Sequence, residues 1–287
     1  MKGKVISTIG GVYDVCLENK EVVKVTPLGV LKHKKVKIIV GDDVEVSLKD
    51  NTLTEVYPRK NMLIRPRVSN IDLGIIVMSL VKPNYSSYLL DKFLTLLNLS
   101  EIKPLIVLTK IDLLEDKSKL DDIVKQYQKL GVKVLCYSKR TLEGLDEIKK
   151  EIENKSIAFM GQTGVGKSSS INLIDEEFSR QVGEFSKALG RGKHQTKEVV
   201  LLPYKNGFIG DTPGFSSLEL NIYKEDLANV FPLIKDYFTE CRYSNCLHKN
   251  EPGCKIKELL NDNLLDQENY QNYLQMLDEL IARKDRY

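Results

Sequence analysis

The chain has 287 residues, of which 42% are apolar and 29% charged, and a formal net charge of +3. That balance suits a globular protein with a sizeable core, and no run of about 18 apolar residues offers a membrane span. The charge is too small to demand a polyanionic partner, and the opening MKGKVISTIGG lacks the apolar run and cleavage site of a secretory signal, so the cytoplasm is the expected compartment.

Residues 1 to about 60 alternate apolar and polar side chains in short runs such as KVISTIGGVYDVCLE and VKIIVGDDVEVSL, separated by Gly, Asn and Asp turn signals. The pattern predicts a small all-β unit over 1–66, an OB-type barrel or one of the SH3-like barrels that share it. Within it LKHKKVK at 31–37 gathers lysines, either as a solvated basic run or as a contact for phosphates.

From about residue 70 the period changes. Apolar strands IDLGIIVMSL, KPLIVLTK, VKVLCYS and SIAFMG alternate with helix-like SSYLLDKFLTLLNL, KLDDIVKQYQKL and LEGLDEIKKEIE. Such alternation predicts a mostly parallel sheet covered by helices, an α/β domain over 67–220.

Four motifs sit on this frame. TKID ends the strand KPLIVL, and its form is that of a guanine reader: Thr109, Lys110 and Asp112, whose carboxylate accepts from both the ring N–H and the amine of guanine. Ser138 and Lys139 in YSKR are candidates to close over the base. GQTGVGKSS at 161–169 follows a strand and opens a helix, as a phosphate loop must. There the backbone of Gly161, Gln162, Thr163, Gly164, Val165 and Gly166 turns N–H groups inward, Lys167 reaches the β- and γ-phosphates, and Ser168, with Ser169 beside it, offers a hydroxyl to Mg²⁺. DTPGF at 211–215 has the D-x-x-G form, with Asp211 near Mg²⁺ and the Gly214 amide toward the γ-phosphate; alone it would be an ordinary Pro-Gly turn.

The guanine-reading pieces precede the phosphate loop, the reverse of the usual Ras-like order, so the motifs stand in circular permutation. Phe215 occupies the place where Ras-like enzymes carry a water-orienting Gln. The nearest substitute is His194 in GRGKHQT, otherwise an exposed loop histidine, and Arg191 either lends charge to the transition state or is a solvated side chain.

Over 221–287 the chain is expected to form a mostly helical zinc-binding domain, ending in the helix DQENYQNYLQMLDELIARK. Five cysteines cannot all pair, and Cys241, Cys246, His248 and Cys254 fall within 14 residues with the spacing C-x4-C-x-H-x5-C. A soft S₃N donor set favours one closed, structural Zn²⁺ per chain over free thiols. Cys16 and Cys136 sit in apolar strands and read as core side chains.

On TKID, GQTGVGKSS, GRGKHQT, DTPGF and the Cys/His quartet, behind a β-rich N-terminus, the chain resembles the RsgA family (YjeQ/YloQ), circularly permuted GTPases dependent on the small ribosomal subunit. The resemblance implies an OB-fold, a permuted GTPase domain and a zinc domain acting in late maturation of the small subunit, with its rRNA, GTP and GDP as partners. It also implies a catalytic role for His194 and a Mg²⁺ ligand at Thr196. The family's GRGRHTT reads GRGKHQT here, with Lys193 and Gln195 replacing an Arg and a Thr. The expected activity is hydrolysis of the phosphoric anhydride of GTP by a monomer, as a release switch. Competing readings are a GTPase that regulates another RNA or protein complex, and a metabolic nucleotide enzyme.

Overall fold

The computed structural model describes residues 1–33, 36–64, 66–175, 199–211 and 218–284. Strands β1 (Lys2–Ile9), β2 (Val12–Leu17), β3 (Val22–Pro27), β4 (Asp43–Ser47) and β5 (Thr52–Val56) close a barrel in the order β1-β2-β3-β5-β4, with β4 returning to β1. This is the five-stranded Greek-key order of an OB-type barrel. The alternation seen in sequence is its cause: Val5, Val15, Val25, Val44, Val46 and Leu53 all point inward and form one cluster. A short α1 (Gly29–His33) follows β3, and a two-stranded ribbon, β6 (Met62–Leu63) and β7 (Val68–Ser69), leads out of the barrel.

The central sheet contains β8 (Leu73–Ser79), β9 (Lys103–Thr109), β10 (Lys133–Tyr137), β11 (Ser156–Met160), β12 (Val200–Tyr204) and β13 (Gly207–Asp211), in the order β10-β9-β8-β11-β13-β12. All neighbours are parallel except β12, which pairs antiparallel with β13. Every residue of β8 and β11 is buried, because helices cover both faces of these central strands. Leu73, Ile75 and Val77 face the side packed by α4 (Leu145–Ile152) and α5 (Lys167–Ile174), through Ile148 and Ile171. Ile76 and Met78 face the opposite side, with α2 (Ser87–Leu99) and α3 (Ser118–Lys129).

The C-terminal part contains the short α6 (Leu227–Val230), α7 (Lys255–Asn261) and the long α8 (Gln267–Lys284), which lies against α2. Phe231 meets the Tyr273 ring edge-on at 5.2 Å. Asp91 of α2 is fully buried at this contact. Its carboxylate accepts from Asn269 Nδ2 at 2.8 Å, Asn272 Nδ2 at 2.7 Å and Tyr127 OH at 2.9 Å. Burial nevertheless pushes this carboxyl up to about 7, against the pull of the three donors.

The barrel is fastened to the β6–β7 ribbon through another buried aspartate. Asp42 accepts from Arg59 Nε at 2.6 Å, Ser69 Oγ at 2.6 Å and the Ile39 amide at 2.9 Å. Gly41 beside it has φ +94° and so little space that a Cβ would meet the Ser69 carbonyl at 2.1 Å, so glycine is required there.

Candidate functional site

The site lies at the carboxyl ends of the parallel strands, where such sheets bind ligands. β11 ends at Met160 and the chain turns through residues 161–166 into α5. The turn uses left-handed backbone at three glycines: Gly161 (φ +142°), Gly164 (+84°) and Gly166 (+105°), the last at the N-terminus of α5. A Cβ on Gly161 would lie 2.3 Å from the Val77 carbonyl, so this position has no room for another residue. Val165 is buried, whereas Thr163 and Gly164 are exposed and Gln162 is half-buried. Lys167 is buried and folds back over the loop, its ammonium donating to the Gly161 and Gln162 carbonyls at 2.7 and 2.8 Å. Ser168 is exposed in the first turn and Ser169 half-buried after it. A concavity of backbone amides at a helix N-terminus, with a lysine across it, can hold a chain of phosphates.

The guanine motif is brought to this loop by hydrogen bonds that sequence reading does not anticipate. Thr109, the buried last residue of β9, donates its hydroxyl to the Val165 carbonyl at 2.7 Å and approaches the Met78 carbonyl at 3.1 Å. Lys110 takes left-handed backbone (φ +62°) and sends its ammonium to the Gly164 carbonyl at 2.9 Å and to the Lys82 carbonyl. Its stem thereby lies along the edge of the site. Asp112 sits in the short 3₁₀ turn Ile111–Leu113, half-buried.

Ser138 is fully buried after β10. Its hydroxyl donates to Asp112 Oδ1 at 2.7 Å and accepts from the Thr141 amide at 3.1 Å, and its own amide donates to the Glu143 carbonyl at 3.0 Å. It therefore orients the aspartate, while Lys139 is exposed beside it. A carboxylate held by one oxygen still offers lone pairs to two donors on one edge of a purine.

β13 ends at Asp211, which pairs with Phe159 of β11 and so reaches the phosphate loop's side of the sheet. The Asp211 side chain, Gly214, Phe215, Arg191, His194 and Thr196 lie outside the described residues.

The Cys/His quartet converges as its spacing implied. The donor atoms of Cys241, Cys246, His248 and Cys254 all lie within 4.8 Å of one another, and His248 presents Nδ1 at 3.4 Å from Cys241 Sγ and 3.5 Å from Cys254 Sγ. Cys241 and Cys254 sulfurs are 4.0 Å apart. A tetrahedral ion with bonds of about 2.3 Å to sulfur and about 2.0 Å to nitrogen requires edges of about 3.8 and 3.5 Å, so the quartet fits a metal ion. The Lys255 amide, at the start of α7, donates to Cys241 Sγ at 3.3 Å. Burial and neighbouring thiols push Cys246 up to about 12 and raise Cys254, and burial lowers His248. The neutral imidazole is ready to ligate, and a dication supplies the charge that holds the thiols as thiolates.

No helix among the described residues is long and apolar enough to cross a membrane. The RsgA N-terminal domain family matches residues 2–55 and the RsgA GTPase family residues 56–221. The chain is 38% identical to the small ribosomal subunit biogenesis GTPase RsgA of Bacillus subtilis (strain 168), covering 100% of this chain and 99% of that protein. It is 40% identical to the protein of that name from Streptococcus agalactiae, covering 100% and 98%. Among solved structures, YjeQ from Thermotoga maritima superposes with a TM-score of 0.84 at 31% identity, covering 98% of each chain. YloQ, described as a circularly permuted GTPase, superposes with a TM-score of 0.83 at 34% identity, covering 100% of this chain and 96% of the other.

Proposed function

The chain belongs to the RsgA GTPase family and is a GTP hydrolase, and from that premise we propose that it binds the small ribosomal subunit, assists its late maturation and leaves on hydrolysis of GTP. The observation that carries this reading is the pair of bonds from Thr109 and Lys110 to the Val165 and Gly164 carbonyls, which join a guanine motif and a phosphate loop into one site. The names of full-length relatives support the ribosomal partner.

In this reading Asp112, oriented by Ser138, reads guanine, with Thr109, Lys110 and Lys139 around the base. The amides of Gly161, Gln162, Thr163, Gly164, Val165 and Gly166 hold the phosphate chain with Lys167, and Ser169 supports the helix start. The exposed Ser168 hydroxyl and Thr196 would hold Mg²⁺, with Asp211 reaching its shell through water, and the ion would supply positive charge to offset that of the phosphates. Gly214 senses the γ-phosphate and His194 positions the attacking water. The Cys241, Cys246, His248 and Cys254 set holds one structural Zn²⁺.

The three units, 1–66, 67–220 and 221–287, work together as a monomer. Residues 212–217, which follow Asp211, lead into the part that packs on α2 through α8, so loss of the γ-phosphate can be felt by the metal-binding domain. Barrel and metal domain are proposed to hold rRNA. The test is GTP turnover with small subunits, large subunits and free rRNA. Without a Gln after D-x-x-G the isolated chain should turn over on the order of 10⁻⁴ to 10⁻² per second. Strong stimulation by small subunits alone is expected, weakening as salt rises. Equal response to all three, or none to small subunits, would remove the ribosomal reading.

A further inference from the structure

A cleft of about 570 Å³ lies away from the phosphate loop, where the barrel meets the turn of the β12–β13 hairpin. That volume suits a small ligand or a single nucleotide. Tyr57 lines it from the end of the barrel and Phe208 from β13, both half-buried, with Cys16 and Leu17 adding apolar surface. Each ring already has a cation near its face: Lys2 Nζ is 5.5 Å from the Tyr57 centroid and Lys4 Nζ 5.9 Å from that of Phe208.

The lining carries four lysines and two acids, Glu18 and Asp43, and the lysines sort into two kinds. Lys4 is paired with Asp43 at 2.7 Å, and Lys205 with Glu153 at 2.8 Å. Lys2 and Lys20 are exposed on the lining and, among the described residues, no carboxylate lies within ion-pair distance of either. The lining thus offers two aromatic surfaces and two ammonium groups outside any ion pair, Lys2 over the Tyr57 ring and Lys20, with the carboxylate of Glu18 on the same lining.

We infer that this cleft is a binding site for one nucleotide unit, its base against Tyr57 and Phe208 and its phosphate on Lys2 and Lys20. An inorganic anion would leave the rings unused, and a purely apolar ligand would leave the ammonium groups unused. Stacking on an aromatic ring accepts any base, and lysine takes phosphate as a point charge. The same chemistry is carried by an unpaired base in RNA and by a free mononucleotide. Neither is the guanine nucleotide of the phosphate-loop site, because the cleft lies at the far end of the hairpin from Asp211.

The test uses the full chain saturated with GDP, and reads binding of a fluorescein-labelled adenosine RNA hexamer by anisotropy, with AMP as competitor. Wild type is expected to bind the hexamer, AMP, or both. Tyr57→Leu should weaken binding about tenfold through lost stacking, and Tyr57→Phe, which keeps the ring, by no more than about twofold. Combining Lys2→Gln with Lys20→Glu should also weaken binding about tenfold and flatten its salt dependence. Displacement of the hexamer by AMP assigns the site to free mononucleotides; hexamer binding that AMP does not displace assigns it to an RNA base. Binding of neither probe, or binding untouched by Tyr57→Leu and by the lysine pair, overturns the proposal.

Discussion

Thr109 is tied to Val165 across the nucleotide site, its hydroxyl donating at 2.7 Å to a carbonyl 56 residues further along the chain. The guanine motif and the phosphate loop are therefore parts of one hydrogen-bonded unit, and disturbing either should be felt by the other. Thr109→Ala removes a buried donor worth about 1 kcal/mol, so GDP affinity is expected to fall about fivefold in a fluorescent-nucleotide titration. Thr109→Ser should restore it. Unchanged affinity in the alanine variant would mean that the two motifs are positioned independently.

Asp112→Asn replaces a pair of acceptors by one acceptor and one donor, which suits xanthine better than guanine. Competition between GDP and XDP should reverse its preference. Ser138→Ala, which frees Asp112 Oδ1, should weaken GDP without favouring XDP. An Asp112→Asn chain that still prefers GDP would place the base elsewhere.

Metal analysis of the freshly purified chain should find one zinc. A strong chelator is expected to remove it, and Cys246→Ser to abolish it, with the region from about residue 221 losing protection from proteolysis in both cases. Zinc-free protein with undiminished protection would sink the assignment.

Asp91 should make stability depend on pH. Its carboxyl is raised to about 7 in the fold, well above the usual carboxylate range, so between about pH 4 and 7 the native state holds a proton that the unfolded chain has released. Its contribution is fully present below pH 4 and is lost as pH rises through 7. Asp91→Asn should lower Tm overall, because an amide nitrogen then faces Asn269, Asn272 and Tyr127 donors, yet it should remove this component of the slope. Parallel Tm–pH curves for the two proteins would show that Asp91 does not titrate in this range.

Lys167→Ala and His194→Ala are expected to separate binding from chemistry. The first removes the ammonium that caps the phosphate loop and should lose nucleotide affinity and turnover together. The second should lower turnover much more than GTP affinity, since its proposed part is to position water. Equal losses in His194→Ala would assign it to binding.

The sequence by itself determined the barrel, the parallel sheet, the glycine-rich loop and the Cys/His quartet, because each rests on local chemistry: period-two alternation, apolar runs between helices, left-handed glycines and a tight C-x4-C-x-H-x5-C spacing. Even the permuted order of the motifs is a fact of sequence. What only the tertiary structure decided depends on pairs far apart along the chain. The antiparallel edge strand β12 has its hydrogen-bond partners in β13, and VLLPY alone does not distinguish an edge strand from a loop. Ser138 reads in sequence as a candidate to close over the base, and the fold adds a hydrogen bond from its hydroxyl to Asp112, 26 residues away, that no local pattern shows. Asp42 and Asp91 look like ordinary surface acids in sequence. Folding buries both at joins between units, where Arg59 and Ser69 meet the first and Asn269, Asn272 and Tyr127 the second, because a carboxylate withdrawn from water must find its donors wherever the chain brings them.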